Sequence, residues 1–287
     1  MPARPARPIL AVLAGAAVLT AVLPSGTGTA MAAPAAPTRL ASAARLASAA
    51  PAALAGQDVS WPQCPAGRGG YGLPMPAASA AFVVVGLTGG RGFTTNPCVA
   101  DQARWAKAHG VRTAAYLFPT YPTRAQLRRW GSVGPARATS LEGRVYNVGW
   151  AQAADAIGVL RRSGLRAKAV WIDVETNRKR PWSADTGANT ALVRGVAAAI
   201  RRAGLQPGLY TNRSSWTTYT DGARLGLPEW RTVGPRPRSE ALAACAAASL
   251  NGGRVLMVQH WTSTADHDVL CRPLSSRAAR ARWFHAP

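Results

Sequence analysis

The chain has 287 residues and carries 34 basic against 12 acidic side chains, a formal net charge of +22. A charge of that size favours polyanionic partners. Coding bias towards arginine is an alternative source of part of this charge. No nucleic-acid recognition motif accompanies the charge, so we expect no specific nucleic-acid partner.

The N-terminus has the pattern of an export signal. Arg4 and Arg7 precede an uncharged apolar run at 9–23, and the triplet Ala-Met-Ala follows at 30–32. This order predicts a secretory signal peptide at 1–32. A membrane anchor is the alternative, but the run has about 15 residues where a spanning helix needs roughly 20. We therefore expect a secreted protein without a membrane span, whose net charge is +20 once the two arginines are removed.

An alanine-rich stretch follows at 33–55, in which the hexapeptide at 39–44 recurs at 45–50. It holds too little bulky apolar surface to offset the entropy of ordering it, so we interpret it as a linker. The remaining 232 residues, 56–287, suit one large α/β domain better than two small ones.

Four cysteines fall in this domain: Cys64, Cys98, Cys245 and Cys271. An even number in an exported chain predicts disulfides. No pair has the close spacing of a zinc site, so we expect no metal. Among the possible pairings we choose Cys64–Cys98 with Cys245–Cys271, because each pair joins segments that flank neighbouring predicted strands.

Apolar runs alternate with helical stretches along the domain. Strands are predicted at 57–60, 81–86, 113–118, 168–174, 207–211, 229–233 and 254–261, and helices at 98–109, 151–162, 189–202 and 240–249. Such alternation implies βα units around a mostly parallel sheet, and about seven strands are enough to close a barrel in a single domain. An open doubly wound sheet is the alternative, but no glycine-rich nucleotide fingerprint follows the first strand.

Two acidic residues stand at the end of the predicted fourth strand. Strand alternation sends Trp171, Asp173 and Glu175 to one face, and in βα barrels the C-terminal ends of the strands carry the chemistry. Alternatively, one acid caps the next helix and the other pairs with Arg178 or Arg180. Burial of two adjacent like charges is costly unless one is protonated or partnered, which favours a functional role.

Three further acids have a matching placement. Asp58 lies in the first predicted strand, and Asp266 and Asp268 follow the last one. Closure of a barrel is expected to set those two strands side by side. Each acid alone is commonly a turn residue or a helix cap, but their joint occurrence indicates a ring of carboxylates at one end of the barrel.

Five segments together resemble the family 25 glycoside hydrolases, the muramidase-type lysozymes. Gly-Gln-Asp-Val-Ser at 56–60 resembles the opening motif of that family, and Ile-Asp-Val-Glu at 172–175 resembles its Asp-hydrophobic-Glu strand. Gly-Leu-Tyr-Thr at 208–211, Gln-His at 259–260 and Asp-His-Asp at 266–268 are similar to its later elements. The resemblance implies a flattened β/α (TIM-like) barrel and cleavage of the β-1,4 bond between N-acetylmuramic acid and N-acetylglucosamine.

Residues expected at the rim of the barrel, near the C-terminal ends of the strands, differ from the family pattern. Gly-Leu-Thr-Gly-Gly at 86–90 stands where family members often have Lys-Ala-Thr-Glu-Gly, and Tyr-Leu-Phe at 116–118 stands for Tyr-His-Phe. His260 replaces a tyrosine, and Asp268 replaces an asparagine. With these changes the sequence resembles a divergent branch of exported bacterial proteins that carry a family 25-like domain. They leave two alternatives open: a catalytically inactive wall-binding protein, or a glycosidase for another polysaccharide.

Glycoside cleavage needs an acid that protonates the leaving oxygen and a carboxylate that stabilises or attacks the oxocarbenium centre. We assign Glu175 as the acid, its pKa raised by the charges of Asp173 and Asp58, and Asp266 as the stabiliser or nucleophile. Several candidate substrate-binding residues are aromatic and can stack on sugars, with core packing as the alternative. The candidates are Trp61, Tyr116, Tyr210, Gln259, Trp261 and Asp268.

The expected partner is peptidoglycan or a related glycan, and the basic surface is expected to attract anionic wall polymers. We expect no cofactor. The protein is expected to be a monomer, either extracellular or associated with the cell wall.

Overall fold

The structure is a computed structural model that describes residues 54–177 and 181–287. The predicted signal peptide and nearly all of the predicted linker lie outside the described residues, as do Arg178 and Arg180. The first strand begins at Ala55, the last residue of the predicted linker.

The described part of the chain forms one closed barrel surrounded by helices. The strands are β1 (Ala55–Val59), β2 (Phe82–Gly86), β3 (Arg112–Leu117), β4 (Ala169–Val174), β5 (Gln206–Thr211), β6 (Glu229–Thr232), β7 (Val255–Trp261) and β8 (Asp266–Leu270). The helices are α1 (Val99–Ala108), α2 (Arg124–Trp130), α3 (Leu141–Arg162), α4 (Thr186–Arg202), α5 (Arg213–Thr220), α6 (Arg238–Ala244) and α7 (Arg277–Ala281).

Neighbouring strands from β1 to β7 run parallel, whereas β8 runs antiparallel to both β7 and β1 and closes the barrel. The predicted fold class, a mostly parallel β/α barrel in a single domain, is confirmed. The alternative of an open doubly wound sheet is wrong, because no edge of the sheet is left unpaired in the described residues.

β8 is the strand that the sequence patterns did not predict. Asp266 and Asp268 were expected after the last strand, with that strand beside β1; they lie instead within β8, which separates β7 from β1. The polar start Asp-His-Asp hides the apolar alternation typical of a strand. The turn before it is also short, since the Thr262 amide donates to the Ala265 carbonyl at 2.8 Å.

The helices differ from the predicted ones mainly at their ends. α3 begins ten residues before the predicted start at 151, because the Ser140 hydroxyl accepts a hydrogen bond from the Gly143 amide at 3.1 Å and caps it. α6 ends at Ala244 and not at 249, and the short helices α2, α5 and α7, each of one or two turns, were not predicted. Helices this short carry too few residues to show a clear 3.6-residue period.

The strands separate two apolar layers. In β4, Ile172 packs outward beneath the helices, whereas Trp171 lies inside the barrel with its ring centroid 5.9 Å from that of Trp230. Gly208 on β5 leaves room for this indole, since a Cβ there would stand 2.2 Å from the Trp171 ring. Burial of each such large side chain contributes roughly 1.5–3 kcal/mol, and the alternation predicted for β4 is the observed one.

The last described residues close the N-terminal end of the barrel. Phe284 packs against Phe82 at 4.8 Å between ring centroids, and Trp283 stacks on Trp171 at 5.1 Å. The backbone of His285 pairs with that of Thr113 at the start of β3. This segment therefore crosses beneath the barrel from β8 to β3.

Two disulfides hold loops at the barrel ends. Cys64 is bonded to Cys98 and Cys245 to Cys271, with Cα atoms 5.7 and 5.4 Å apart. This is the pairing chosen from the sequence. The first bond ties the loop after β1 to the start of α1, and the second ties the end of α6 to the end of β8. Of the helices in the described ranges, none has the length and apolar character needed to cross a bilayer.

Candidate active site

Five acidic residues gather at the end of the barrel where the parallel strands finish. They are Asp58 on β1, Asp173 on β4, Glu175 just after β4, and Asp266 and Asp268 on β8. Because β8 runs the other way, its first residues lie at this end, and Asp266 pairs with Asp58 in register. Electrostatic interactions connect all five carboxyl groups. The predicted ring of acids is therefore brought together in space.

A chain of hydrogen bonds orients Asp58. The Tyr210 hydroxyl donates to Gln259 Oε1 at 2.7 Å, and Gln259 Nε2 donates to Asp58 Oδ2 at 2.7 Å. All three side chains are buried. Tyr210 and Gln259, which the sequence suggested as substrate-binding residues, thus lie inside the barrel, where they hold one oxygen of Asp58.

Asp268 is fully buried and lies deeper than the other acids. Trp230 Nε1 donates to its Oδ1 at 2.8 Å, while its Oδ2 has no hydrogen-bond partner among the described residues. Burial raises the pKa of the Asp268 carboxyl well above its ordinary value, and the charge of Asp266 raises it further, so its protonated form is favoured.

Asp58 and Asp173 are also disfavoured as anions. Burial raises the pKa of both carboxyls well above the ordinary value, and the charges of Asp266 (for Asp58) and Glu175 (for Asp173) raise it further. Asp173 Oδ1 is buried without a hydrogen-bond partner in the described part of the chain. An acid with no donor facing it has nothing to stabilise its charge.

Glu175 lies at the mouth of the cluster. Burial, followed by the charge of Asp266, raises the pKa of Glu175 to about 7. Burial also raises the pKa of Asp266, but the nearby His267 opposes that shift. The charge acting on Glu175 therefore comes from Asp266 and not, as the sequence suggested, from Asp173 and Asp58. The difference arises because those two are buried more deeply, which disfavours their own ionisation.

Aromatic side chains stand around the mouth. Trp61 and Tyr71 form an edge-to-face pair with ring centroids 5.0 Å apart, and Tyr71 is 70% exposed. Trp261, at the end of β7, is 36% exposed. Tyr116 is partly buried and contacts Trp230 at 6.0 Å between centroids. Tyr71 was not predicted as a substrate-binding residue. Its position in the loop closed by the Cys64–Cys98 disulfide pointed towards the rim, but its exposure cannot be predicted from the sequence.

The histidine that replaces the family tyrosine faces away from the acids. Gln259 points inward, so its neighbour His260 points outward. There His260 stacks on His267 of β8, with ring centroids 5.3 Å apart.

The arrangement of the acids can be compared with that of metal ligands. Within the described ranges, no group of three or more histidine, cysteine or acidic side chains is placed to hold a metal ion. The oxygens of Asp58 and Asp268 that face Gln259 and Trp230 already accept hydrogen bonds.

Part of the chain is similar to a lysozyme-like family. Residues 142–230, which include Asp173 and Glu175, match the family model described as lysozyme-like protein 1. Comparison with the curated proteins found no match.

Several solved structures share the fold of this chain at low sequence identity. The spore cortex lytic enzyme SleM of Clostridium perfringens is 16% identical with a TM-score of 0.51, over 77% of this chain and 68% of that one. A muramidase from Trichobolus zukalii is 17% identical with a TM-score of 0.50, over 80% and 97%. The lysozyme of Streptomyces coelicolor is 16% identical with a TM-score of 0.50, over 80% and 96%.

These likenesses define the class of domain: a β/α barrel similar to those of muramidases. The resemblance noted in the sequence implies a β/α barrel, and that is the fold these structures share with the chain.

Proposed function

We propose that this protein is an exported glycosidase that cleaves β-1,4 bonds of peptidoglycan with Glu175 as the general acid. The observation that carries the proposal is the raised pKa of Glu175, about 7, beside Asp266 at the barrel end. A carboxyl with that pKa holds a transferable proton near neutral pH, which the leaving oxygen needs. The likeness of the fold to muramidases supports the same reaction class.

The other acids have distinct parts in this mechanism. Asp266 is the least enclosed of the aspartates and keeps its negative charge most readily, so it stabilises or attacks the positive sugar carbon as the bond to the leaving oxygen breaks. Asp58 is a positioning residue for this end of the barrel, held by Gln259. Burial raises the pKa of the Asp173 and Asp268 carboxyls, and these two side chains make the floor of the proposed site polar.

Rim aromatics provide the sugar-binding surface in this proposal. Trp61, Tyr71 and Trp261 present exposed or partly exposed rings around the acids, and aromatic faces suit the apolar faces of sugars. Tyr71 joins the residues suggested by the sequence, whereas Tyr210, Gln259 and Asp268 act from inside the barrel. The basic surface retains the protein on anionic wall polymers.

A wall-binding protein without turnover is the second candidate. The observation in its favour is the uncharged loop at 86–90, where the family pattern has a lysine and a glutamate. Such a protein keeps the barrel and its affinity for walls but releases no sugar.

The test is an assay of purified peptidoglycan with the domain starting at residue 54. We expect release of reducing sugar and loss of wall turbidity with the wild type. Glu175→Gln keeps the shape of the side chain but not its proton, so we expect turnover to fall by about 10²–10⁴-fold while sedimentation with walls stays unchanged. Wall binding without any sugar release by the wild type favours the second candidate, and full activity of Glu175→Gln removes Glu175 as the acid.

A further inference from the structure

A cavity of about 230 Å³ lies between the loops that follow β2 and β3. It is distinct from the acid cluster, none of whose members lines it. Its walls include Arg91, Phe93, Thr120, Tyr121, Thr123 and Gln126. Because both loops leave the C-terminal ends of their strands, the cavity opens at the same end of the barrel as the acids.

The buried side-chain amide of Gln152 holds the walls of this cavity in place. Gln152 of α3 accepts a hydrogen bond from the Thr120 amide at 3.0 Å and donates to the Thr120 carbonyl at 2.8 Å. The Gly92 amide donates to Thr120 Oγ1 at 3.3 Å. A Cβ on Gly92 would stand 2.2 Å from Gln152 Oε1, so this contact admits only glycine. The cavity is therefore formed before any ligand arrives, which lowers the entropic cost of binding.

The lining presents hydrogen-bond donors and a positive charge. Gln126 Oε1 accepts from the Thr123 amide at 2.9 Å, which leaves its Nε2 group as a donor. Tyr121 and Thr123 add hydroxyl groups, and Arg91 is exposed and makes no ion pair with an acid of the described residues. No aspartate or glutamate lines the cavity. A carboxylate matches this lining, because its oxygens accept from an arginine fork and from neutral donors together.

One wall is apolar. Phe93 adopts the left-handed backbone conformation with φ at 57°, and its ring stacks on Trp130 at 5.7 Å between centroids. A non-glycine residue in that conformation is held there by its surroundings. The ring gives the cavity one face suited to an alkyl stem, so the favoured ligand is a carboxylate carried on a short aliphatic chain.

A hydrogen bond connects the loop beside this cavity to the loop beside the acid cluster. Asn177 Nδ2 donates to the Gly90 carbonyl at 3.1 Å. Gly90 directly precedes Arg91, and Asn177 follows Glu175 by two residues. The loop that carries the arginine is thus joined to the loop that carries the acid.

We propose that the cavity binds a side-chain carboxylate of the peptide substituents on the glycan substrate, with Arg91 as the specificity-determining residue. This inference rests on the proposed function. It means that the enzyme recognises glycan that still carries its acidic peptides, through a site separate from the one that holds the sugars.

The experiment compares three substrates: peptidoglycan fragments with free peptide carboxylates, the same fragments with those carboxylates amidated, and glycan chains stripped of peptide. We expect Arg91→Gln to lower kcat/KM at least about tenfold on the first substrate and less than about twofold on the others. Arg128→Gln is the matched control, since Arg128 is exposed on α2 and does not line the cavity. An equal loss on all three substrates, or no loss on any, overturns the proposal.

A binding measurement separates this proposal from the proposed function. The soluble dipeptide N-acetyl-alanyl-glutamate is titrated into the wild type by NMR, with its diamide and inorganic phosphate as comparisons. We expect the wild type to bind the dipeptide saturably but not its diamide or phosphate. This binding should be lost in Arg91→Gln and kept in Glu175→Gln. That result supports the cavity even if no glycan is cleaved. Phosphate binding as tight as that of the dipeptide, or no binding by the wild type, overturns the assignment.

Discussion

Glu175 has the pKa that a general acid needs because it is buried at the mouth of the barrel beside the carboxylate of Asp266. Its pKa of about 7 has burial as the main cause and the charge of Asp266 as the second. In the free enzyme the fraction of protonated Glu175 therefore falls as pH rises through about 7. Since the acid must start the reaction protonated, activity is expected to fall over the same range.

Asp266→Asn tests this electrostatic arrangement. Removal of the negative charge lowers the pKa of Glu175, so the alkaline limb of the kcat/KM profile is expected to move to lower pH while the rate also drops. If the variant is too slow to assay, the same shift is measured by ¹³C NMR titration of Glu175. Asp155→Asn, an exposed change on α3, is the control and leaves the limb in place. An unshifted Glu175 titration in Asp266→Asn contradicts the assignment of that charge.

At the scale of elements, a buried carboxylate at the start of β6 forms an ion pair within that strand and accepts hydrogen bonds from the segment before β7. Glu229 is 1% exposed and forms an ion pair with Arg231. Its Oε1 accepts hydrogen bonds from the Ser249 hydroxyl, the Leu250 amide at 2.7 Å, and the amide and side chain of Asn251 at 2.9 and 2.8 Å. A carboxylate so well surrounded by donors is stabilising, whereas loss of its charge leaves Arg231 buried and unpaired.

We expect Glu229→Gln to lower the free energy of unfolding by about 3–5 kcal/mol, measured by urea denaturation. The control Glu240→Gln breaks only an exposed pair with Arg236 at 3.8 Å and should cost about 1 kcal/mol or less. The double variant Glu229→Gln with Arg231→Met removes the unpaired charge and is expected to recover part of the loss. Equal stability of Glu229→Gln and the wild type argues against a structural role for the pair.

The same scale shows what a single sequence can and cannot predict. β4 was predicted with the correct inward and outward faces because an apolar run followed by Asp173 and Glu175 is a local feature, to which the two-residue period of a strand applies. β8 was missed because its polar start serves the acid cluster and not the core. The bond between Gln259 and Asp58 joins residues 201 positions apart, and no local pattern encodes such a pairing. The acids could thus be identified, but not which of them is charged.

At the scale of the whole molecule, the excess of arginine is expected to govern where the protein resides. The mature chain predicted from the sequence carries a net charge of +20, and attraction between exposed charges weakens once the Debye length falls to about 8 Å. We expect sedimentation with cell walls to decrease steeply as salt rises through about 0.15 M, and also after the anionic polymers are extracted from the walls.

Glu175→Gln is the control in this assay, because it separates retention on the wall from turnover of the glycan. Sedimentation that responds neither to salt nor to extraction shows that the charge does not cause retention. In that case the rim aromatics Trp61, Tyr71 and Trp261 are expected to account for wall binding.

The crossing of the last residues beneath the barrel has a consequence for when the protein can fold. Besides β2, β1 pairs with β8, and Trp283 and Phe284 cover the floor of the interior. The core therefore stays open until β8 and residues 283–284 have been synthesised. In the export that we propose, the barrel is therefore expected to close only after residues 283–284 have emerged from the translocation pore. The proposed glycosidase would then gain its activity only outside the compartment in which it is made.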